Sequence, residues 1–160
     1  MQLEGPVEGI PRHIPVVVDE AYIEYADPDR QDILDTLAVV KQHPHPVIGL
    51  RTFSKIYGLA GMRVGYAYAS TRMIQLLDKL ELPFNLSTLA AESARVVLQD
   101  EDFVRRVRDN AISEKRRISE FLQSTGLDYI PSQSSMMLAQ YPGATADDFY
   151  PKLRDAGILL

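Results

Sequence analysis

The run Ile14 to Val18 (IPVVV) is apolar throughout and rich in β-branched residues, with no polar alternation. A strand of this kind suits cover on both faces, as in a parallel sheet. Parallel neighbours cannot be joined by a tight turn; they need a crossover of a dozen or more residues, usually a helix. The sequence supplies one. After Asp19 and the turn residues Asp27-Pro28-Asp29, the segment Gln31 to Val40 carries Ile33, Leu34, Leu37 and Val40 at helical spacing, and His43-Pro44-His45-Pro46 closes it. Val47 to Phe53 (VIGLRTF) then reads as a second strand. Strand, helix and strand in this order predict a βαβ unit with a right-handed connection, and so an α/β fold with a mostly parallel sheet.

The pattern continues with a strand over Val64 to Ala69, then a helix capped by Ser70 or Thr71 and running to about Leu82, where Pro83-Phe84-Asn85 breaks it. Leu86 to Gln99 is a further helix with Ser87 or Thr88 as its cap, and Asp102 to Ser124 is a longer one ended by Gly126. Its apolar positions Val104, Val107, Ala111, Ile118 and Phe121 or Leu122 define a buried face. Arg105, Arg106, Arg108, Lys115, Arg116 and Arg117 are interleaved with Glu101, Asp102, Asp109, Glu114 and Glu120, which makes the opposite face a solvated one. Beyond Gly126 come two short strands, Leu127 to Pro131 and Met136 to Tyr141, a helix from Thr145 or Ala146 to Ala156, and a strand opening at Gly157 to Leu160. The expected division is a sheet-bearing part over residues 1–100 and a smaller α+β part over residues 101–160.

Composition narrows the chemistry. A formal charge of −5 argues against general nucleic-acid binding, which needs a basic surface to neutralise phosphates. There is no cysteine, so disulfides and thiolate metal sites are excluded. No apolar run reaches the ~18 residues of a membrane span, and the start lacks a basic segment followed by an apolar one. The expectation is a cytoplasmic protein without a membrane partner. His43 and His45 read as solvated loop residues, and Asp27, Asp29 and Asp32 as negative charge near a helix N-terminus, so no metal site is expected.

The stretch Arg51 to Tyr66, RTFSKIYGLAGMRVGY, is where chemistry concentrates. It is not a phosphate loop of the GxxxxGK[ST] kind, because the lysine precedes the glycines. Nor is it a dinucleotide fingerprint, because Gly58, Gly61 and Gly65 lack the GxG spacing. A lysine that forms an imine with a carbonyl cofactor fits better: Lys55 follows a strand, at the sheet edge where open α/β folds bind ligands. Thr52 and Ser54 hydroxyls and the Arg63 guanidinium are donors for a phosphate dianion, and the glycines let the loop fold back. The same residues also suit a surface lysine beside a tight strand connection. Asp19 and Tyr22, in VVVDEAYIEY, stand just past the neighbouring strand on the same expected edge. A carboxylate there can hold the proton of a pyridinium nitrogen, and a tyrosine can hydrogen-bond a phenolic oxygen. Asp19 also suits a turn cap, and Tyr22 an ordinary half-buried aromatic. Asp19 and Glu20, adjacent on an extended chain, point to opposite faces and make a poor hydrolase pair.

Together DEAY, RTFSKIYGLAGMRVGY and PFNLST resemble the fold-type-I pyridoxal-phosphate aminotransferases, most closely their histidinol-phosphate aminotransferase branch, over nearly the whole chain. The resemblance implies that Lys55 is the Schiff-base lysine, Asp19 the partner of the ring nitrogen and Tyr22 that of the ring oxygen. Ser54 and Arg63, with Thr52, would hold the phosphate, and Leu82 to Thr88 would line the substrate entrance. It also implies pyridoxal 5'-phosphate as cofactor, a small amino donor and a 2-oxo acid such as 2-oxoglutarate as substrates, and a homodimer. Residues 1–100 would be the C-terminal half of the cofactor-binding large domain, and residues 101–160 the start of the small domain. The family's earlier half and the arginines after its GILL-like strand have no counterpart here, so the expectation is a fragment that binds cofactor poorly and catalyses nothing alone. Many relatives have Asn-Phe where Ser135 and Met136 stand. Aromatic or broad-specificity aminotransferases and amino-acid phosphate decarboxylases share the same cofactor residues. A non-catalytic phosphate-binding α/β module is the alternative of another class.

Overall fold

The computed structural model describes residues 7–30, 32–143 and 145–158. Strands β1 (Val16–Asp19) and β2 (Val47–Thr52) pair in parallel, from Val16 opposite Val47 to Asp19 opposite Leu50. Helix α1 (Thr36–Gln42) connects them, so the βαβ unit forms as its apolar pattern predicts. The helix starts later than the spacing of Ile33 and Leu34 suggests. Asp35 takes the N-cap position and its carboxylate accepts the Ala38 N–H at 2.9 Å, a better use of aspartate than a place inside a helix. Asp27, Asp29 and Asp32 therefore do not form the helix N-terminus. Asp27 accepts the Asp29 N–H at 3.0 Å, and Asp32 pairs with Arg30. Gln31 lies outside the described residues.

Strand β3 (Gly65–Ala69) joins β2 antiparallel, giving a sheet of order β1-β2-β3. The α/β class holds, and within these residues the sheet is mixed. The direction reverses because the segment from Phe53 to Val64 closes on itself instead of crossing the sheet: the Phe53 N–H donates to the Val64 carbonyl at 3.1 Å. Cover on both faces of β1 is not found among the described residues. Val16 and Val18 pack with Leu34 and Val40 against a buried cluster of Val7, Val39 and Val47, whereas Val17 on the other face is 55% exposed.

Helix α2 (Thr71–Leu77) is capped by Ser70 and tightens into a 3-10 turn at Asp78–Leu80, short of Leu82. Helix α3 (Thr88–Val97) is capped by Ser87, whose hydroxyl accepts the Ala90 N–H at 3.1 Å. Its small residues Ala90 and Ala94 share a face and pack with Phe53 and Val64, with Tyr57, Leu59 and Met62 around them. The loop after β2 is thus braced by a helix. Helix α4 (Glu101–Ser124) is capped by Asp100 and lies against β4 (Asp128–Ile130) and the 3-10 turn Ile23–Tyr25. Its inward face is rotated from the predicted one. Leu122 is buried and Val104, Val107, Ala111 and Ile112 half-buried, while Ile118 and Phe121 are exposed. Lys115 turns inward, donates to the Ser132 carbonyl at 3.3 Å, and has its pKa pushed down by burial.

Strands β4 and β5 (Leu138–Gln140) form a separate antiparallel pair. Helix α5 (Ala146–Asp155) opens on a capping box between Thr145 and Asp148. No strand forms at Gly157-Ile158; Leu159 and Leu160 lie outside the described residues.

His45 departs from its expected solvated state. It is 5% exposed, and its Nε2 donates to the Ile14 carbonyl at 2.9 Å, which ties the end of the crossover to the entry of β1. Gly49 serves a close approach. It faces Tyr68 across the β2–β3 ladder, and a Cβ there would sit 2.2 Å from Tyr68 Cζ. The ring cannot swing away freely because its hydroxyl donates to Glu20 Oε2 at 2.5 Å. Gly49→Ala is expected to cost about 1–3 kcal/mol of stability by overpacking, visible as a lower denaturation midpoint with an unchanged m-value.

Candidate active site

Parallel pairing brings the C-terminal ends of β1 and β2 to one edge of the sheet. Alternation along the chain then separates two adjacent carboxylates: Asp19 is exposed at that edge, while Glu20, 7% exposed, turns to the covered side. The Asp19 carboxylate accepts the Ala21 N–H at 3.0 Å, which fixes its orientation as the chain turns. The turn is completed by Ile23 N–H donating to the Glu20 carbonyl and Tyr25 N–H to the Tyr22 carbonyl, both at 3.0 Å. It carries the Tyr22 ring beneath the Lys55 ammonium, whose Nζ lies 5.0 Å from the ring centroid.

The loop after β2 presents the remaining groups. Thr52 Oγ1 accepts the Ser54 N–H at 3.0 Å. Phe53 and Ile56 are buried on either side, so Ser54 and Lys55 are left facing outward. Gly58 has φ of +70° and its N–H donates to the Lys55 carbonyl at 2.9 Å, so the loop turns at the glycine as expected. A 3-10 turn at Ala60–Met62 ends on Arg63, a non-glycine residue in the left-handed region at φ 54°, ψ 50°. Such backbone outliers cluster at functional sites. This conformation directs the Arg63 guanidinium back over the loop, where Nη1 donates to the Ala60 carbonyl at 2.8 Å and approaches Ser54 Oγ at 3.4 Å.

Asp19, Thr52, Ser54, Lys55 and Arg63 line one cavity of about 310 Å³, together with Arg51 and Leu50. Tyr22 is not part of that wall; it borders an adjoining cavity of about 250 Å³ with Asp19 and Gln133, and meets the site through Lys55. A cavity of about 530 Å³ lies between β5 and α5, and none of the described residues that line it is charged. Among the described residues no helix is long and apolar enough to cross a membrane.

A second cluster on the covered side was not singled out by the motif. Glu20 Oε2 accepts the Arg51 Nε–H at 2.9 Å and the Tyr68 hydroxyl at 2.5 Å, and the Arg51 guanidinium lies 5.5 Å from the Tyr68 ring centroid. Burial works against the charge of Arg51, but Glu20 overrides it and holds the pKa above its ordinary value. Burial and the bond to Glu20 push the Tyr68 hydroxyl up to about 12. Burial likewise raises Glu24, against the pull of its own backbone and of Arg51. The available signal in the sequence was an arginine inside an apolar strand, one that needs a buried counter-charge.

Residues 7–160 match the family model described as aminotransferase class I and II. Histidinol-phosphate aminotransferase of Anaeromyxobacter sp. (strain Fw109-5) is 37% identical over 153 residues, covering 96% of this chain and 41% of the relative. Aromatic amino acid aminotransferase of Mycobacteroides abscessus is 42% identical over 137 residues, covering 85% of this chain and 38% of the relative. The crystal structure of histidinol-phosphate aminotransferase from Sinorhizobium meliloti in complex with pyridoxal-5'-phosphate superposes with a TM-score of 0.80 at 31% identity, over 94% of this chain and 41% of that one. The chain spans about two-fifths of the length of the curated relatives it matches. Over these residues, in sequence and in fold, the chain belongs to the class I and II aminotransferase family.

Proposed function

We propose that the natural polypeptide carrying these residues is a pyridoxal-phosphate-dependent aminotransferase of histidine biosynthesis, moving an amino group between histidinol phosphate, or a related amino compound, and 2-oxoglutarate. The observation that carries this reading is the convergence of an ammonium, a carboxylate and a guanidinium, from three segments, on one cavity at the carboxyl edge of β1 and β2. The donor set fits the cofactor. Two hydroxyls and a guanidinium suit a phosphate dianion, an oriented carboxylate suits a pyridinium nitrogen, and the volume suits one small molecule.

In this assignment Ser54, Thr52 and Arg63 bind the phosphate, and Tyr22 orients the ring through its phenolic oxygen. Asp19 holds a proton on the ring nitrogen. Lys55 anchors the cofactor through Nζ and afterwards moves a proton at the substrate Cα as general base and acid. When bound, pyridoxal 5'-phosphate supplies an electron-accepting ring that takes up the electron pair left at that carbon. The same reading makes residues 1–100 the C-terminal half of the cofactor-binding domain, makes residues 101–160 the start of a small domain, and makes the enzyme cytoplasmic. The reading also includes a homodimer, as the resemblance to the family implies.

The identity to the Mycobacteroides abscessus protein favours an aromatic amino acid as the competing donor. With 2-oxoglutarate as acceptor, histidinol phosphate is expected to exceed phenylalanine or tyrosine by roughly 10²-fold in kcat/KM. The reverse ranking would favour the aromatic reading, and no amino transfer from any of a broad panel of amino donors would reject an aminotransferase.

A further inference from the structure

Asp19 shares its cavity with three cations, Lys55, Arg63 and Arg51. Lys55 and Arg63 have roles in the proposed site; Arg51 has none there, and its guanidinium, if swung toward Asp19, would compete with a ring nitrogen for the same carboxylate. Arg51 is nevertheless turned away. Glu20 holds its Nε at 2.9 Å from the covered side of the sheet, with side-chain exposures of 30% for Arg51 and 5% for Glu20. Tyr68 donates to the same Glu20 oxygen and lies alongside the guanidinium, and Gly49 leaves the space its ring occupies. Arg51 is therefore partly open toward the cavity, yet restrained by a buried carboxylate one residue away from Asp19. Among the described residues, Glu24, Tyr57, Tyr66 and Tyr68 are the other titratable groups around it.

Resting on the assignment of Asp19 to the ring nitrogen, we propose that Glu20 is a positioning residue that sequesters the Arg51 guanidinium from Asp19, leaving the Asp19 carboxylate free to hold the nitrogen's proton. An ion pair buried only for strength is often replaceable by apolar side chains. Here the pair sets which face of the strand the arginine's charge acts on. Glu20→Gln keeps the shape and removes the restraining charge; Arg51 then turns to Asp19 and the nitrogen loses its proton more readily.

The test uses the natural polypeptide loaded with cofactor labelled with ¹⁵N at the ring nitrogen. The nitrogen chemical shift is followed against pH, with circular dichroism to establish folding. In E20Q the midpoint of deprotonation is expected to fall by roughly one pH unit or more, and in E20Q/R51Q to return toward the wild-type value. An unchanged midpoint in E20Q overturns the proposal, as does a double variant still shifted like the single one, since that marks a purely structural role. Should E20Q fail to fold, Glu20→Asp keeps the charge with a shorter reach. It is expected to shift the midpoint in the same direction by less, and a wild-type midpoint there is equally contradictory. If wild-type protein shows no cofactor signal, the assignment of Asp19 and Lys55 falls and this inference with it; a normal wild-type signal with an unresponsive E20Q sinks this inference alone.

Discussion

Lys55→Ala is expected to abolish covalent attachment of the cofactor and to reduce amino transfer by roughly 10⁴-fold or more. Proton transfer by a positioned side chain alone contributes about 10²–10⁴, and loss of the anchor adds to it. Among the described residues the other cations lining the cavity are Arg51 and Arg63, and a guanidinium can serve neither as the nucleophile nor as the base. The fold should tolerate the change, since Lys55 is exposed between the buried Phe53 and Ile56. Unchanged circular dichroism with loss of the protein-bound chromophore is the expected pair of observations. A variant that retains a borohydride-reducible linkage would show that Lys55 is not the anchor.

Asp19→Asn is expected to leave the cofactor bound and to slow proton removal from the substrate by roughly 10³-fold, about 4 kcal/mol in the barrier. Asparagine keeps the size of aspartate and can still accept the Ala21 N–H at the turn, so geometry is preserved while the charge is lost. Asp19 would then no longer hold the proton of a ring nitrogen, the role the proposed assignment gives it. The signature is a fall in kcat together with a large substrate isotope effect at Cα. A rate within a fewfold of wild type would mean that Asp19 caps a turn and nothing more.

How far the sequence carries is clear from individual residues. The β1–α1–β2 unit was legible because its apolar residues are continuous in the strands and helically spaced between them. The direction of β3 was not, since periodicity says which face is buried and nothing about which way a strand runs. The late start of α1 turned on Asp35, one of several acidic residues in that segment and the one that caps. Lys115 looked like part of a solvated face and turned inward, because the packing of α4 on the Ile23–Tyr25 turn and on β4 is set by tertiary contacts. The candidate site was legible for the opposite reason. Asp19, Lys55 and Arg63 lie in segments whose local geometry, strand end and glycine turn, already limits where each can point. The Glu20–Arg51–Tyr68 cluster was hidden because it depends on cross-strand register, with Gly49 opposite Tyr68.

The most direct measurement is site mapping of the cofactor on the natural polypeptide. Protein incubated with pyridoxal 5'-phosphate is reduced with borohydride, digested, and searched by mass spectrometry for the peptide that carries the cofactor. A single stoichiometric label on Lys55, prevented by inorganic phosphate in excess and by Lys55→Ala, is the predicted result. Label scattered over Lys41, Lys79, Lys115 and Lys152, or none at all, would contradict a site in which this lysine, Asp19 and Arg63 act on one molecule.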